Sequence, residues 1–419
     1  MTATALLLLV ESNTTGTGRQ FAGRARDLGI EPVLVSADPA RYPYVAEDLL
    51  RTAVTDTSSE EAVLATAREL AGRAPIVGVT SSSEYYVATA ATTAHRLGLP
   101  GPDADAVRVC RDKSRQRRLL AAAGVPVPDF VLVRDVEGAV LAAADLGHPV
   151  VLKPLQGSGS LGVRLCADAA ETAAHAAELA SAVVNERGDA VPPGVLVEQY
   201  ARGTEYSVEV LGETAVVVVR KYLGPLPDFV ELGHDLPAAL ALADETRLKN
   251  CAVRAVRALG LGWGAAHVEL RMDGDDIRVI EVNPRLAGGM IPELARRARG
   301  IDLVGAQVLA ALGRPTDLAD GLARGAAIRF LTAERPGVLA DGTATAAALS
   351  AARAVPGVVD AVLYRAPGER VAPAQDFRGR LGHVIAVTDH TAAGPAADEG
   401  RQALAAVLDT RTTEKEAVL

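Results

Sequence analysis

The sequence predicts an α/β fold with α+β parts, and three observations lead to this prediction. Short apolar runs alternate with helix-forming segments through the first hundred residues, a spacing that favours a parallel sheet with helices on its faces. A glycine-rich loop follows a buried strand near residue 153, and from residue 195 the pattern becomes rich in strands. Apolar residues make up 49% and charged residues 23% of the 419, which is ordinary globular composition.

Residues 1–107 form the first predicted domain, an α/β unit. Its predicted strands are Ala5–Val10, Pro32–Ser36 and Ile76–Thr80, and its predicted helices are Arg19–Leu28, Glu60–Arg73 and Glu84–Leu97. Loops that follow the carboxyl ends of parallel strands face a ligand crevice. We therefore expect the loops Glu11–Gly18 and Thr80–Tyr86 to border a binding site.

After a loop that contains Pro100, Gly101 and Pro102, three further domains are predicted, 108–194, 195–315 and 316–419. The predicted helices are Arg108–Ala123, Val136–Leu146, Asp168–Glu186, Ala243–Leu259 and one near Glu399–Leu408, and Arg187–Gly194 is a predicted connector. The predicted strands are Val131–Val133, Val150–Lys153, Val195–Gln199, Tyr206–Leu211, Ala215–Lys221, Ala265–Met272, Ile277–Val282, Ala326–Leu331, Val358–Tyr364 and His383–Thr388. The turn Asp273–Asp276 marks a hairpin between two of them.

Charge and cysteine content narrow the class of protein. The formal net charge is -9, and this mild acidity argues against binding of nucleic acid. The three cysteines, Cys110, Cys166 and Cys251, form no CxxC pair, which indicates a reducing compartment. No apolar stretch reaches the ~18 residues of a membrane span. We therefore expect a cytoplasmic protein that acts on small molecules.

The first chemical motif is the loop that follows Lys153. Its small residues are Gly157, Ser158, Gly159, Ser160 and Gly162. Glycines let backbone N–H groups approach phosphate oxygens closely, and a nearby ammonium neutralises the phosphate charge. The Gly-Lys-Ser/Thr of a Walker loop is absent, so on this motif alone a plain hairpin turn is the alternative to phosphate binding.

The second motif follows the strand Val195–Gln199. Glu198, Gln199 and Tyr200 lead through a short linker to Gly203 and a strand that carries Glu205. A purine ring could lie against such a linker, and a carboxylate at Glu205 could accept both ribose hydroxyls. A strand–turn–strand with solvated acids is the alternative.

The third motif is the most specific. His267 and Glu269 lie on one strand of the predicted hairpin, and Glu281 and Asn283 lie on the other. Residues two apart on a strand share a face, so the two glutamates can oppose each other while Val268, Leu270, Ile280 and Val282 supply the buried face. Two carboxylates and an amide oxygen suit Mg²⁺ held against phosphates. Arg285 follows, and arginine presents a fork to carboxylate or phosphate.

In this order, the three motifs resemble those of the ATP-grasp superfamily over about residues 1–315. The resemblance implies an ATP-grasp fold with an N-terminal parallel-sheet domain, a two-lobed ATP-binding region and a small C-terminal domain. It implies that Lys113, in Arg111-Asp-Lys-Ser114, and Lys153 contact the nucleotide phosphates, with Gly157–Gly162 as the closing loop. It also implies that Glu198–Tyr200 form the adenine hinge and that Glu205 binds the ribose.

The same resemblance implies that Glu269, Glu281 and Asn283 bind magnesium or manganese, and that Arg285 contacts the transferred phosphoryl group or the acyl-phosphate. Within the superfamily, the chain resembles most the carboxylate–amine ligases that include the L-amino-acid ligases. The segments that carry this likeness are Glu84-Tyr-Tyr86, Lys221 with Phe229–His234, Ala266–Glu269, Asn283–Pro292 and Arg380–Ile385.

The branch implies an ATP-dependent ligase that joins an amino acid or other small carboxylate to an amine through an acyl-phosphate, with release of ADP and phosphate. The implied catalytic residues are Arg285, Lys153, His267 and Lys221. The implied substrate residues are Glu84, Tyr85, Glu231, His234, His267, Arg285, Gly288 and Gly289. A homodimer is expected by the same resemblance.

Three alternatives stay open at the level of sequence. Biotin carboxylases share the metal motif, a cyclising ligase would use the same activation, and a catalytically silent nucleotide-binding protein would keep part of the site. The filled metal and phosphate positions argue against the silent protein. D-alanine–D-alanine ligases carry an arginine where this chain has His267, which indicates a different acceptor.

Overall fold

The computed structural model describes residues 4–13, 17–182, 184, 190–316, 318, 321–389 and 392–409. Residues 185–189, which belong to the predicted helix Asp168–Glu186 and the predicted connector Arg187–Gly194, lie outside this part of the chain. The division of the chain at residues 107, 194 and 315 stays a prediction.

The first unit is a four-stranded parallel sheet with helices packed against it. Its strands are β1 Leu6–Val10, β2 Glu31–Ser36, β3 Arg51–Val54 and β4 Ile76–Thr80. Its helices are α1 Gly18–Asp27, α2 Tyr44–Glu47, α3 Glu60–Ala71 and α4 Val87–Arg96. The strand order is β3-β2-β1-β4 and all pairings are parallel. The predicted parallel sheet is therefore confirmed.

Two details of this unit differ from the sequence prediction. β3 was not predicted, because this edge strand alternates between exposed and half-buried residues and has no apolar run. The helix predicted from Glu84 begins only at Val87, so Glu84 and Tyr85 lie in the turn after β4. That turn is at the carboxyl end of β4, an edge strand of the parallel sheet, and loops at the carboxyl ends of parallel strands are where a ligand crevice is expected.

The predicted helix Arg108–Ala123 is wrong, because the segment contains two helices. α5 Ala104–Arg111 ends at Asp112, and α6 Lys113–Ala122 begins directly after it. Asp112 adopts an extended conformation, and its carboxylate accepts hydrogen bonds from the backbone N–H groups of Ser114 and Arg115. This N-cap stabilises the break and makes Lys113 the first residue of α6.

The small lobe is a four-stranded antiparallel sheet with two helices. Its strands are β5 Phe130–Val133, β6 Val150–Pro154, β7 Arg164–Cys166 and β8 Val195–Gln199, and its helices are α7 Val136–Leu146 and α8 Ala169–Ser181. The strand order is β5-β8-β6-β7. The glycine-rich loop connects β6 to β7, and Lys153 lies on β6 beside β8.

An eight-stranded antiparallel sheet forms the frame of the molecule. Its strands are β9 Thr204–Leu211, β10 Thr214–Leu223, β11 Glu231–Leu236, β12 Ala265–Asp273, β13 Asp276–Asn283, β14 Gly325–Thr332, β16 Val358–Leu363 and β18 Arg380–Thr388. The order is β13-β12-β9-β10-β11-β14-β18-β16. One sheet therefore contains strands from both the third and the fourth predicted domain.

The remaining elements surround this frame. A small sheet contains β15 Gly337–Leu339, β17 Arg370–Val371 and β19 Leu408–Asp409, and the helices are α9 Leu242–Ala258, α10 Ile291–Arg299, α11 Leu303–Ala311, α12 Gly342–Ala354 and α13 Ala393–Leu404. The final helix was predicted near Glu399–Leu408, but it begins earlier, at Ala393. The segment expected as a substrate loop, Phe229–His234, contains the start of β11.

The predicted hairpin of β12 and β13 is confirmed, with one change of register. Glu269 pairs with Glu281, whereas the next residue, Leu270, pairs with Val279. The bulge turns Ile280 out of the predicted buried face, so that it is half-buried and faces the same cavity as Glu281. Val279 takes its place in the core. A bulge next to a functional site commonly re-aims a side chain in this way.

Gly203 fixes the entry of the chain into β9. Its φ is +92°, and a Cβ atom there would lie 2.1 Å from the carbonyl oxygen of Met272. Backbone strain at a positive φ costs about 1–3 kcal/mol, and we expect Gly203→Ala to lower the free energy of unfolding, measured by urea unfolding, by more than this because the Cβ would also meet the Met272 carbonyl oxygen. Gly274→Ala is the control, because Gly274 also has a positive φ but nothing lies within 4 Å. Equal losses would contradict the close approach.

Candidate active site

A cavity of about 590 Å³ lies between the first unit, the small lobe and the large sheet. It is bordered by the glycine-rich loop and by a short turn, Phe377–Gly379, from the last part of the chain. Most site residues predicted from the sequence line it: Glu84, Tyr85, Lys113, Lys153, Gly157, Ser158, Gly159, Ser160, Glu198, Gln199, Tyr200, Glu205, Lys221, Glu231, His267, Glu269, Glu281, Asn283, Arg285, Gly288 and Gly289.

Two predicted site residues, Gly162 and His234, do not line the cavity. Gly162 turns toward the small-lobe core, where its carbonyl lies 3.0 Å from His175 Nε2. His234 is fully buried, with its ring edge-on to Phe330 and its Nε2 behind Gly289. Burial lowers the pKa of His234 to about 3, so this ring is neutral at pH 7.

Glu198 is held between two cations at the base of the small lobe. Its carboxylate contacts Arg117 Nε at 2.5 Å and Lys153 Nζ at 2.6 Å, and Arg117 also bonds the carbonyl of Ile280. Burial would raise the pKa of Glu198, but the guanidinium and the ammonium outweigh it and lower the pKa to about 2. The ion pair with Glu198 fixes the direction in which the Lys153 ammonium points into the cavity.

Lys113 connects the glycine-rich loop to the large sheet. Its ammonium donates to the carbonyl of Gly157 at 2.8 Å and contacts Glu281 Oε1 at 2.8 Å. Because Lys113 is the first residue of α6, the break at Asp112 aims it into this gap. One ammonium therefore lies between the loop and one of the two predicted metal-binding carboxylates.

Lys221, on β10, is surrounded by three carboxylates. Its Nζ lies 2.6 Å from Glu231, 2.7 Å from Glu269 and 3.0 Å from Glu205. Burial would lower the pKa of Lys221, but the three negative charges raise it well above its usual value. The same ammonium helps to lower the pKa of Glu231 and of Glu269. Lys221 is thus the main counter-ion for this wall of the cavity.

His267 lies between two acids across the faces of β9 and β12. Its Nδ1 is 2.7 Å from Glu209 and its Nε2 is 3.1 Å from Glu269. Burial would lower the pKa of His267, but the carboxylate of Glu209 and the hydrogen bonds to both acids raise it to about 9. The imidazole is therefore positively charged at neutral pH.

The predicted metal ligands are brought together by strand pairing. Glu269 is directly opposite Glu281, and His267 is directly opposite Asn283. No group of three His, Cys, Asp or Glu side chains within the described ranges has the geometry to hold a metal by itself. Two hard carboxylates and an amide oxygen suit Mg²⁺ whose remaining ligands are phosphate oxygens. The donor set fits a metal that binds together with a nucleotide.

Arg285 and Glu84 join the large sheet to the first unit. Nε and Nη2 of Arg285 both donate to Glu84 Oε2, at 3.1 and 2.6 Å, and Nη1 donates to the carbonyl of Leu286 at 3.0 Å. Burial alone would raise the pKa of Glu84, but the guanidinium of Arg285 lowers it below its usual value. Burial alone would lower the pKa of Arg285, but the carboxylate of Glu84 raises it above its usual value. This ion pair closes the end of the cavity opposite the hinge.

The hinge linker is supported by Arg271 from β12. Its Nε bonds Glu205 at 3.0 Å, and its Nη1 bonds the carbonyl of Ala201 at 2.9 Å. The guanidinium also lies 5.3 Å from the ring centres of Tyr200 and Phe229, within the range of cation–π attraction. Glu205 is thereby fixed between Arg271 and Lys221 with its carboxylate in the cavity.

The glycine-rich loop contacts two segments of the frame. Ser160 donates to the carbonyl of Phe229 at 2.7 Å, and a Cβ atom at Gly159 would lie 2.3 Å from the ring of Phe377. Gly159 also has a φ of +63°, so only glycine suits both its conformation and this approach. The loop lies over the cavity as a cover.

Sequence reasoning missed four residues of the site: Arg117, Glu209, Arg271 and Arg380. A signal existed for two of them, because Glu209 is two residues from Ser207 and four from Glu205 on β9, and Arg271 is two residues after Glu269 on β12. The alternation of a strand places such residues on one face. Arg117 and Arg380 come from distant elements, so only the fold shows their part.

Three family models match the chain. Residues 146–293 match the ATP-grasp domain, residues 22–101 the ATP-grasp N-terminal domain, and residues 329–409 the L-amino acid ligase C-terminal domain 2. An uncharacterised protein of Sinorhizobium fredii is 39% identical over 91% of this chain and 78% of its own length. The chain belongs to the ATP-grasp superfamily and, within it, to the carboxylate–amine ligases.

Two further relatives have a stated activity. Carnosine synthase 1 of Gallus gallus is 31% identical over 72% of this chain, which spans only 34% of that protein. The crystal structure of the L-amino acid ligase of Bacillus licheniformis superposes with a TM-score of 0.77 and 21% identity, over 96% of this chain and 98% of that one.

Among the described residues, no helix is both long and apolar enough to cross a membrane.

The buried charge of Glu198 gives a prediction for stability. Glu198→Gln leaves Arg117 without its carboxylate, and we expect the free energy of unfolding at pH 7 to fall by about 3–5 kcal/mol. Because the folded-state pKa is lowered, this contribution is present above the usual pKa of 4.5 and is lost as the pH falls toward 2. The free energies of unfolding of Glu198→Gln and of the original chain should therefore approach each other as the pH falls from 4.5 to about 2. Denaturant unfolding at several pH values measures this.

The control for this measurement is Glu399→Gln, which changes an exposed glutamate on α13. We expect it to alter stability by less than about 0.5 kcal/mol at any pH. A loss at Glu198 no larger than that of the control would contradict a charged, paired Glu198.

Proposed function

We propose that the protein is an ATP-dependent ligase that forms an amide bond between an amino acid, or another small carboxylate, and an amine. The observation that carries this proposal is the alternation of lysines and carboxylates in one cavity. Glu281 is paired with Lys113, and Glu269 is paired with Lys221. A metal–nucleotide complex offers a partner to both members of each pair, since phosphates attract the lysines and the metal attracts the carboxylates.

The residues divide into two ends of the cavity. The nucleotide end contains the hinge Glu198–Tyr200, the ribose acid Glu205 and the lysines Lys113 and Lys153. Glu269, Glu281 and Asn283 would hold Mg²⁺ or Mn²⁺, which supplies charge neutralisation for the phosphates when bound. Arg285, Glu84, Tyr85, Gly288 and Gly289 line the other end, which suits the substrates.

In the proposed first step, a substrate carboxylate oxygen forms a bond to the γ-phosphorus of ATP. The bond between that phosphorus and the β–γ bridging oxygen breaks, giving an acyl-phosphate and ADP. Catalysis of such a transfer depends on positioning and charge stabilisation. Lys113, Lys153 and Lys221 attract the phosphate oxygens, and Arg285 stabilises negative charge on the group that is transferred.

In the proposed second step, the amine attacks the acyl carbon, the bond from carbon to phosphate oxygen breaks, and phosphate and a proton leave. No enzyme thiol is needed. Burial raises the pKa of Cys166 and of Cys251 to about 11 and raises that of Cys110 further, so none of these thiols is an activated nucleophile. The cover formed by Gly157–Gly162 protects the acyl-phosphate from water.

The experiment that tests this function combines the chain with ATP, Mg²⁺ and a pool of the twenty common amino acids. ADP and phosphate are measured, and dipeptides are identified by mass spectrometry. Hydroxylamine in place of the amine should trap the acyl-phosphate as a hydroxamate. Turnover that requires bicarbonate and no amine would instead indicate carboxylation, and absence of any nucleotide turnover would indicate a silent binding protein.

Glu281→Gln should abolish ADP formation, at least 100-fold below the original chain, because one metal-binding carboxylate is lost while the side chain keeps its size. Glu245→Gln is the control, since Glu245 pairs with Lys249 at 2.7 Å on α9 and does not line the cavity. Circular dichroism checks that both variants fold. Undiminished turnover in Glu281→Gln would refute the metal assignment.

Lys153→Arg tests geometry at constant charge. Lys153 lies on β6, and its compact ammonium fits beside the carboxylate of Glu198. The planar guanidinium of an arginine at this position would present its donors in other directions. We expect turnover to fall about 10- to 100-fold, while Lys249→Arg on the surface leaves it unchanged. A silent Lys153→Arg would show that any cation suffices at this position.

A further inference from the structure

The last part of the chain contributes a cation, Arg380, to the cavity. Arg380 begins β18, directly after the turn Phe377–Gly379 that contacts Gly159 of the cover. Its Nη2 lies 2.7 Å from Glu231 Oε2, and its Nε lies 3.2 Å from the carbonyl of Glu231. Its guanidinium carbon is 3.9 Å from the centre of the Phe330 ring. The side chain is held on two sides and faces the cavity on the third.

Arg380 keeps donors that the protein does not use. Nη1 makes no hydrogen bond with any residue that the structure describes. It is not fully enclosed by the protein either. Arg380 lines the cavity, so Nη1 can donate there to a ligand. Nη1 and Nη2 are neighbouring nitrogens of the planar fork that matches the two oxygens of a carboxylate.

The other cations in the less exposed part of the cavity have different partners, whereas Arg41 and Arg378 are exposed at its rim. Arg285 uses all three of its nitrogens on Glu84 and Leu286, and His267 lies between Glu209 and Glu269. The lysines are the groups that the proposed function assigns to phosphates. A substrate carboxylate that enters this cavity needs a cation, because burial of an unpaired carboxylate is costly.

We propose that Arg380 binds the free carboxylate of the amine substrate, so that the acceptor is an amino acid or peptide rather than a simple amine. This inference rests on the proposed ligase function. A chain of ion pairs leads from Arg380 through Glu231 and Lys221 to Glu269, with distances of 2.7, 2.6 and 2.7 Å. An acceptor held by its carboxylate at Arg380 can therefore direct its amino group toward the phosphate end.

The position of Arg380 also explains why Glu231 contacts both Arg380 and Lys221. Glu231 neutralises Arg380 while the cavity holds no acceptor, and Lys221 remains beside Glu231 when a substrate carboxylate takes part of the Arg380 fork. The turn Phe377–Gly379 lies next to Arg380 and against the cover. The acceptor is thereby placed under the cover, where the amine meets the acyl-phosphate away from water.

The experiment uses the acceptor identified in the screen of twenty amino acids and the carboxamide of that same acceptor. With the original chain, we expect kcat/KM for the acceptor to exceed that for the carboxamide by about 10- to 100-fold, because the charge-assisted hydrogen bonds are lost. In Arg380→Gln, kcat/KM for the acceptor should fall by a similar factor, and the preference should disappear. Arg380→Lys should recover part of it.

Two control variants separate the outcomes. Arg335→Gln removes an exposed arginine of the same part of the chain that does not line the cavity, and the preference should stay as in the original chain. Arg41→Gln removes an exposed arginine at the opposite rim of the cavity. A preference that persists in Arg380→Gln, or that disappears in Arg41→Gln instead, would overturn the assignment, as would equal losses of kcat/KM for acceptor and carboxamide.

The hydroxylamine assay distinguishes this failure from failure of the proposed function. Formation of hydroxamate by the original chain shows that a carboxylate is activated, whatever binds the acceptor. Hydroxamate without any acceptor preference would overturn the role of Arg380 alone. Absence of hydroxamate and of ADP would remove the ligase proposal itself. Thermal unfolding of each variant shows whether a loss of activity follows from loss of fold.

Discussion

The site depends on the neutralisation of charge inside a largely buried cavity. Glutamates on the large sheet and at the base of the small lobe would be costly to bury alone, and each is matched by a lysine, an arginine or a protonated histidine at hydrogen-bonding distance. Lys221 alone serves three of them. In the proposed function, phosphates would pair with the lysines and a metal with the carboxylates. Ligand binding would then exchange the partners of these groups more than add charge to the cavity.

Strand alternation and register arrange these partners. β9 carries Glu205, Ser207 and Glu209 on one face, and β12 carries His267, Glu269 and Arg271 on the face beside them. The antiparallel pairing of β12 with β13 then brings Glu281 opposite Glu269. A slip of one residue would move every one of these groups into the apolar core. The hydrophobic pattern that buries Val268, Leu270 and Val282 thus also fixes the position of the acids.

Where the chemistry follows a local pattern, the sequence predicted it. The opposed pair Glu269 and Glu281 follows from period-two alternation in a hairpin, and the parallel first sheet follows from buried apolar runs such as Leu6–Val10. The break at Asp112 was missed because the residues on both sides favour a helix, and the cap that separates them is a single side chain. The pairing of Arg117 with Glu198 joins residues 81 positions apart, and no local pattern contains such information. β11 was missed because Glu231, His234 and Asp235 interrupt its apolar residues and hide the strand signal.

The continuity of the eight-stranded sheet has a mechanical consequence. β11, β14 and β18 are joined by backbone hydrogen bonds along their length, so Arg380 belongs to the same sheet as Lys221 and Glu269, and the turn Phe377–Gly379 leads directly into it. A swing of β18 away from its neighbours would break several ladder bonds, whereas the backbone of the glycine-rich loop is continuous with the smaller sheet and contacts the frame through a few groups such as Ser160. Displacement of the loop would therefore cost fewer backbone hydrogen bonds than displacement of the last part of the chain. In the proposed function, substrates would enter by displacement of the loop, and the part of the cavity beside Arg380 would keep its shape.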